Sequence, residues 1–175
     1  MIEELHIFVE GPTDSLFIKK VFDKILLNIC NRYTIVEYAI KEDKKIKKYI
    51  ETIKSVPNWD YIFIADQDGK LDKKDKILLK FNNLDEDKVF VSIYEIESWI
   101  IAGISEKTIK KHKINFSCSD TSNITKEIFN NIIPKRMNKL EFISYVLSDY
   151  NLKNAINLNE SLNIFSQYLY NKKAS

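Results

Sequence analysis

Apolar, strand-like stretches that stop at acidic side chains constrain the fold of this chain more than any other feature. Residues 5–9, 61–65 and 89–93 are almost wholly apolar, and each is followed within two residues by an acid. Residues 33–40 form a fourth stretch of this kind. Continuous apolar strands are typical of parallel sheets that are covered on both faces. Helical patterns separate the four stretches, so we predict an α/β domain with a mostly parallel four-stranded sheet over residues 1–104.

The remaining residues, 105–175, show helical patterns without a clear strand, and we predict a C-terminal helical extension packed on the sheet. A helix pair that serves as a dimer or partner interface is the alternative. Between the strands we expect helices, the first with Thr13 as its N-cap and Asp14 in its first turn. The other predicted helices cover residues 41–54, 73–84, 97–103, 105–113, 122–133, 136–149 and 159–171, with a loop over 115–123.

Composition narrows the class of protein. A chain of 175 residues with a formal charge of +2 fits one globular domain without a strong basic field. Cys30 and Cys118 lie far apart without a C-x-x-C pattern, which excludes a zinc ribbon and fits reduced thiols. The chain shows neither a signal-peptide pattern nor an apolar run of about 18 residues. We therefore expect a soluble, cytoplasmic protein with no membrane partner.

Acidic pairs follow three of the four predicted strands. In open parallel sheets, ligands bind beyond the carboxyl ends of the strands, so these side chains should meet at one edge. Like charges at such distances repel strongly unless a proton or a cation intervenes. An all-oxygen donor set suits Mg²⁺ or Mn²⁺ rather than zinc or copper. The candidate metal ligands are Glu10 and Asp14, Asp66 and Asp68, and Glu95 and Glu97.

Each pair also has an ordinary structural interpretation. An Asp-x-Asp-Gly sequence is common in turns, where the carboxylates accept local backbone hydrogen bonds. Either Glu95 or Glu97 can be a first-turn acid of the following helix. Asp66 and Asp68 share one face only if the strand geometry continues through both of them. The joint occurrence of the pairs at strand ends favours a functional site over these alternatives.

The order of these residues resembles the TOPRIM domain of topoisomerases, primases and small RNA-maturation nucleases. The family pattern is an apolar strand ending in Glu-Gly, here residues 7–11, and a later apolar strand ending in Asp-x-Asp, here residues 62–68. The spacing of Glu10 and Asp14 is similar to that of the overcoming-lysogenization-defect (OLD) nucleases. Residues 95–99 resemble small stand-alone TOPRIM-like proteins found near mobile elements and phage-defence genes.

The resemblance implies a TOPRIM/Rossmann-like fold and a role for each matching residue. Glu10 would act in acid–base chemistry or metal binding, and Asp66 and Asp68 would act in catalysis and bind Mg²⁺ or Mn²⁺. Asp14 would be a further ligand, as would Glu95 and Glu97. OLD nucleases also use a late lysine, for which Lys139 is the catalytic candidate and Lys135, Arg136 and Lys139 are the phosphate-binding candidates. No G-x-x-x-x-G-K-[ST] sequence is present, so any ATP dependence would need a separate ATPase.

The first functional hypothesis is a Mg²⁺-dependent nuclease that hydrolyses phosphodiester bonds of DNA or RNA, in phage defence or a mobile element, and a homodimer would suit cleavage of two strands. The second is a non-catalytic or partner-activated TOPRIM module of a larger defence or toxin complex. A receiver-like phosphoacceptor domain fits the acid spacing poorly. Two basic clusters, at residues 44–48 and 110–113, are candidates for nucleic-acid binding, although solvated helix faces are the commoner role of such clusters.

Overall fold

A computed structural model describes residues 2–174 of the chain. The four strands are β1 (Ile2–Val9), β2 (Cys30–Glu37), β3 (Trp59–Asp66) and β4 (Val89–Ser92). The helices in the α/β part are α1 (Pro12–Leu26), α2 (Asp43–Ser55), α3 (Lys73–Lys80) and α4 (Ile96–Ala102). The later helices are α5 (Glu106–His112), α6 (Lys126–Ile132), α7 (Lys139–Ser148), α8 (Leu152–Leu158) and α9 (Glu160–Ala174).

The strands form one parallel sheet in the order β2-β1-β3-β4. This confirms the predicted α/β class and the four-stranded sheet flanked by helices. Because all strands run in one direction, the residues that follow β1, β3 and β4 lie at the same edge. β1 and β3 are central neighbours in register Ile7 to Ile62, so their carboxyl ends lie side by side.

Successive side chains of each strand point to opposite faces of the sheet, and each face has its own core. On one face α2 and α3 pack over Phe8 and Phe63. On the other face the larger core joins α1 and α4 to the C-terminal helices, with Trp99 and Phe165 stacked at 5.5 Å between ring centroids. Side chains from residues 1–104 and from the later helices therefore share one core.

Several predicted boundaries are wrong. Thr13 is not the N-cap of α1, because Pro12 occupies the first helical position and Gly11 is the N-cap. β2 lies three residues earlier than predicted because Cys30 pairs with Ile2 in the register of the sheet. The predicted helix over residues 122–133 begins only after Thr125, whose side chain caps α6.

Two further differences concern the helices beyond the sheet. The predicted helix from residue 136 begins after Asn138, the N-cap of α7. Helix α8 was not predicted, since it has only seven residues and a single fully buried apolar side chain, Ala155. The loop predicted over residues 115–123 is confirmed, since no helix or strand is assigned there. Across residues 2–174, no helix has the combined length and apolar character needed to cross a bilayer.

Gly103 ends α4 in a place where no side chain fits. A Cβ atom there would lie 2.3 Å from ring carbons of Tyr150, whose hydroxyl donates a 2.6 Å hydrogen bond to the carbonyl of Trp99. Tyr150 is therefore held in place and cannot yield freely.

We expect Gly103→Ala to lower the free energy of unfolding by about 1–3 kcal/mol, the usual cost of overpacking a core. Gly11→Ala is the matched control, because its Cβ would meet nothing within 4 Å. Urea unfolding measures both. Equal losses in the two variants would contradict the packing explanation.

Candidate metal and active site

A pocket of about 250 Å³ opens at the carboxyl edge of the sheet. The ends of β1 and β3 form its floor, and the first turns of α1 and α4 form its sides. Its lining residues are Glu10, Gly11, Pro12, Thr13, Asp14, Asp66, Ile96, Glu97, Lys126 and Lys139. The structure thus brings four of the six predicted carboxylates and one of the predicted lysines into one pocket.

Glu10, the first residue after β1, is held by both neighbouring strands. Its Oε1 atom accepts a 3.1 Å hydrogen bond from the Tyr38 hydroxyl, just beyond β2, and a 3.3 Å bond from the backbone N–H of Asp66 in β3. Burial and the nearby Glu10 carboxylate raise the pKa of Tyr38, so its hydroxyl stays a hydrogen-bond donor. These contacts fix the carboxylate at the pocket floor.

Asp14 lies in the first turn of α1 and is only 7% exposed. Its Oδ2 accepts a 2.9 Å hydrogen bond from the backbone N–H of Gly11, which closes the helix start and points the side chain into the pocket. Burial, together with the charges of Glu10 and Glu97, raises the pKa of Asp14 to about 6. The folded chain therefore resists ionisation of this group unless a cation is near.

Asp66 ends β3 beside Glu10. Its Oδ1 accepts a 2.7 Å hydrogen bond from the hydroxyl of Ser92, the last residue of β4. Burial, followed by the charge of Asp14, raises the pKa of Asp66 to about 8, although the Ser92 bond acts in the opposite direction. Three strands therefore converge on one half-buried carboxyl group, which forms no ion pair within 4.0 Å among the described residues.

Glu97 and Lys139 form the only ion pair among the pocket-lining residues of the described chain. Glu97 lies in the first turn of α4 and is 4% exposed. Lys139, the first residue of α7, places its Nζ 2.5 Å from Glu97 Oε1. The ammonium group of Lys139 thus faces the acidic pocket from the C-terminal extension.

The structure places Asp68 and Glu95 at the rim rather than in the pocket. β3 ends at Asp66, and Asp68 adopts a left-handed turn conformation with φ of 52°, so the strand geometry needed to align the two side chains is not kept. Asp68 is exposed and pairs with Lys73 at 2.6 Å, and the same Nζ lies 4.0 Å from Glu10. Glu95 is the N-cap residue of α4 and lies 3.9 Å from Lys126.

Only one of the three predicted phosphate-binding residues lies at the pocket. Lys135 and Arg136 are exposed in the turn between α6 and α7 and do not line the pocket. Lys139 does, because α7 begins directly behind Asn138 and its first turn faces α4. Of the three phosphate-binding candidates, the structure therefore places only Lys139 beside the carboxylates.

Sequence reasoning missed two basic and two hydroxyl side chains of this region. Lys126 lines the pocket and Lys73 spans Asp68 and Glu10. Tyr38 and Ser92 donate hydrogen bonds to the site carboxylates. The sequence could have indicated Tyr38 and Ser92, because one directly follows β2 and the other ends β4, and the carboxyl ends of parallel strands lie at one edge of the sheet.

The donor set fits a hard divalent cation, although the carboxylates are not arranged as a finished ligand cage. Within residues 2–174, no three His, Cys, Asp or Glu side chains lie together as a ready metal-binding group. A buried oxygen, Glu95 Oε2, has no hydrogen-bond partner, and burial with the charge of Glu97 raises the pKa of Glu95. Carboxylate oxygens without a hydrogen-bond partner suit Mg²⁺ or Mn²⁺, and a cation there would also favour the charged form. Glu10, Asp14, Asp66 and Glu97 are the residues that would hold it.

The crowding of carboxylates makes stability depend on pH. Asp14 binds its proton more tightly in the folded chain than in the unfolded chain, so the folded state holds more protons between about pH 4 and pH 6. Its contribution to stability is therefore lost as the pH rises through this window. One pKa unit is worth about 1.4 kcal/mol. We therefore expect the free energy of unfolding of Asp14→Asn to rise by at least about 1.4 kcal/mol relative to the wild type as the pH increases across the window.

Urea unfolding in a chelator at several pH values checks this difference. Asparagine keeps an oxygen that can accept the Gly11 hydrogen bond. A difference between variant and wild type that stays constant with pH would contradict the assignment of Asp14 as a destabilised carboxylate.

Comparison with known proteins gives no relative. No family model matches the chain, and neither a curated protein nor a solved structure matches it. The fold and the site geometry therefore carry the functional argument.

Proposed function

We propose that this protein is a metal-dependent nuclease of the TOPRIM type, which hydrolyses phosphodiester bonds of DNA or RNA with Mg²⁺ or Mn²⁺. One observation carries the proposal. Glu10, Asp14, Asp66 and Glu97, which come from three separate segments of the chain, line one pocket together with Lys139. Two of these residues, Asp14 and Asp66, have carboxyl groups with raised pKa values. Carboxyl groups with perturbed pKa values at a ligand-binding sheet edge are typical of functional sites.

A bound Mg²⁺ or Mn²⁺ supplies Lewis-acid polarisation of a phosphoryl oxygen and lowers the pKa of water. The other roles belong to the chain itself. Glu10, fixed by Tyr38 and Asp66, faces the pocket and accepts the proton of the attacking water. Asp14 and Asp66 hold their oxygens toward the same space, and Asp14 is positioned by its bond to Gly11.

The two pocket lysines serve the phosphate. Lys139 and Lys126 reach the pocket from helices α7 and α6, and both present ammonium groups to an otherwise acidic surface. A phosphodiester brings negative charge that increases as the attacking oxygen bonds to phosphorus. Preformed cations at that point stabilise the transition state more than the ground state.

We expect Lys139→Met to lower the cleavage rate about 100-fold, the usual effect of losing one such group. The variant also leaves the buried Glu97 without its partner, so added Mg²⁺ should raise the melting temperature more than in the wild type. Lys153→Met, at an exposed position on α8, is the matched control. Unchanged cleavage in Lys139→Met would remove this lysine from the mechanism.

A second candidate is a TOPRIM module that is activated by a partner protein, with or without a separate ATPase. One arrangement favours it. Lys139 pairs with Glu97, and Lys73 lies within 4.0 Å of Glu10, so protein cations already neutralise part of the site. A partner that withdraws either lysine would open the carboxylates to metal.

Incubation of the purified protein with supercoiled plasmid and with structured RNA, in Mg²⁺, Mn²⁺ or EDTA, tests the proposal. We expect cleavage in either metal and none in EDTA. Cleavage that persists in EDTA would contradict the metal-dependent mechanism. Absence of cleavage on both substrates would leave the partner-activated module as the better account.

A further inference from the structure

A second, larger groove runs along helix α2 on the face of the sheet away from α1. Its volume is about 600 Å³, and it is lined by Ile40, Lys41, Glu42, Lys45, Ile46, Lys48, Tyr49 and Thr52. The basic and aromatic members recur at three- and four-residue spacing, so they lie on one stripe of the helix and the turn before it.

The groove begins beside the catalytic edge. The backbone N–H of Ala39 donates a 3.3 Å hydrogen bond to the carbonyl of Glu10, and Ile40 is the next residue. A chain that occupies the groove therefore passes directly next to the strand end that carries Glu10. No comparable link was visible in the sequence, because residues 10 and 39 are far apart along the chain.

Charge is segregated toward this side of the molecule. Residues 41–55 and 70–80, which contain α2 and α3, hold eleven lysines and five acids and so carry a formal charge of +6. The whole chain carries +2, so the remainder carries −4. α2 and α3 pack on the same sheet face, where they combine into one basic layer beside the acidic pocket.

The lysines of the groove are open to a ligand. In the described chain, Lys41 and Lys48 have no acidic side chain within 4.0 Å, and both are exposed. Lys45 pairs with Glu42 at 3.1 Å, but both side chains are about 70% exposed, so water and salt screen this pair. Phosphates can therefore replace the weak internal contact.

The apolar part of the groove suits a base or a sugar. Ile40 is 83% exposed, which is unusual for an isoleucine beside a helix start. The half-buried ring of Tyr49 is held by a 3.1 Å hydrogen bond between its hydroxyl and His6 Nδ1. A fixed aromatic ring next to exposed lysines is the combination found in sites for single-stranded nucleic acid.

We infer that this groove binds the single-stranded segment of nucleic acid that flanks the scissile phosphate. The inference rests on the proposed nuclease function and names the surface through which the substrate is held. The lysines contact successive phosphates, and Tyr49 with Ile40 contacts a base or sugar. Of the basic cluster predicted at residues 44–48, only Lys45 and Lys48 line the groove, and Lys41, which the prediction did not include, joins them.

Fluorescence anisotropy of a fluorescein-labelled single-stranded oligonucleotide in EDTA tests the groove without cleavage. We expect the triple variant Lys41→Gln, Lys45→Gln, Lys48→Gln to bind at least about tenfold more weakly at moderate salt. The slope of log affinity against log salt concentration should fall by about 2, since each phosphate contact adds about 0.7 for a single strand.

The control removes the same charge from the other sheet face. Lys19, Lys20 and Lys24 are exposed on α1, and their triple replacement by Gln should leave binding near the wild-type value. Equal weakening in both triple variants, or none in the first, would overturn the inference. The same measurement on duplex DNA completes the test. If the groove variant binds duplex DNA more weakly but binds single strands as well as the wild type, the groove does not hold a single strand.

Hydrolysis of bis(p-nitrophenyl) phosphate separates this inference from the proposed function. This small diester has no flanking nucleotides, so the groove variant should hydrolyse it at the wild-type rate while cutting oligonucleotides poorly. If the wild type hydrolyses neither substrate, the proposed nuclease function is wrong. The anisotropy measurement would still show whether the groove binds single-stranded nucleic acid. A groove variant that loses small-diester hydrolysis would place these lysines in the catalytic pocket and overturn a separate docking role.

Discussion

Asp66→Asn is expected to lower the cleavage rate about 1000-fold and, in the same protein, to raise the stability of the metal-free fold. Asp66 is half-buried, and its carboxyl group has a pKa raised to about 8. Its negative charge therefore destabilises the fold unless a cation lies near. Loss of a carboxylate that helps hold the metal removes several kcal/mol of transition-state stabilisation, which corresponds to a rate loss of about 1000-fold.

The gain in stability follows from the same geometry. Asparagine is isosteric, keeps an oxygen for the Ser92 hydroxyl and carries no charge. Because the folded chain holds the extra proton between about pH 4 and pH 8, the advantage of the variant grows with pH through that window. We expect at least about 1.4 kcal/mol, the value of one pKa unit, from urea unfolding in EDTA.

The control for this variant is Asp87→Asn. Asp87 is exposed in the short turn before β4, at the opposite edge of the sheet. It should change neither cleavage nor stability. An Asp66→Asn protein that is inactive but destabilised would point to a structural role for this carboxylate and against a site strained for function.

Glu10→Gln is expected to reduce cleavage about 1000-fold while the fold is kept. Glutamine retains an Oε1 acceptor for the Tyr38 hydroxyl and the Asp66 N–H, so the local hydrogen bonds persist. The variant loses the negative charge and the basic oxygen that proton transfer needs, which together are worth several kcal/mol. Initial rates on the plasmid or RNA substrate measure the effect.

Glu3→Gln provides the comparison, because Glu3 is exposed at the amino end of the same strand. Its cleavage rate should equal that of the wild type. If Glu10→Gln cleaves as fast as Glu3→Gln, the carboxylate edge is not where the chemistry happens.

The sheet and the residues of the pocket floor could be predicted from the sequence because they depend on local patterns. Apolar runs define the strands, and an acid directly after such a run lies at the carboxyl edge whatever the details of packing. Glu10 and Asp66 belong to this group. Their adjacency also follows once β1 and β3 are central neighbours in the sheet.

Other parts of the site depend on geometry that no short sequence pattern encodes. Asp68 lies two residues beyond the end of β3, in a left-handed turn conformation, and its carboxylate pairs with Lys73 instead of entering the pocket. Lys139 was distinguished from Lys135 and Arg136 only by the start of α7, which the Asn138 cap sets. Lys73 pairs with Asp68 across a turn, and the spacing of the two residues in the sequence does not reveal this contact.

Binding of Mn²⁺, followed by electron paramagnetic resonance, tests the central claim most directly, because that claim is that the pocket carboxylates hold a divalent cation together. Mn²⁺ fits the same oxygen donors as Mg²⁺ and loses its free-ion signal when bound. We predict saturable binding to the wild type and to Asp87→Asn, competition by Mg²⁺, and loss of binding in Asp66→Asn. Equal Mn²⁺ binding by Asp66→Asn and the wild type, or no binding by either, would contradict the account.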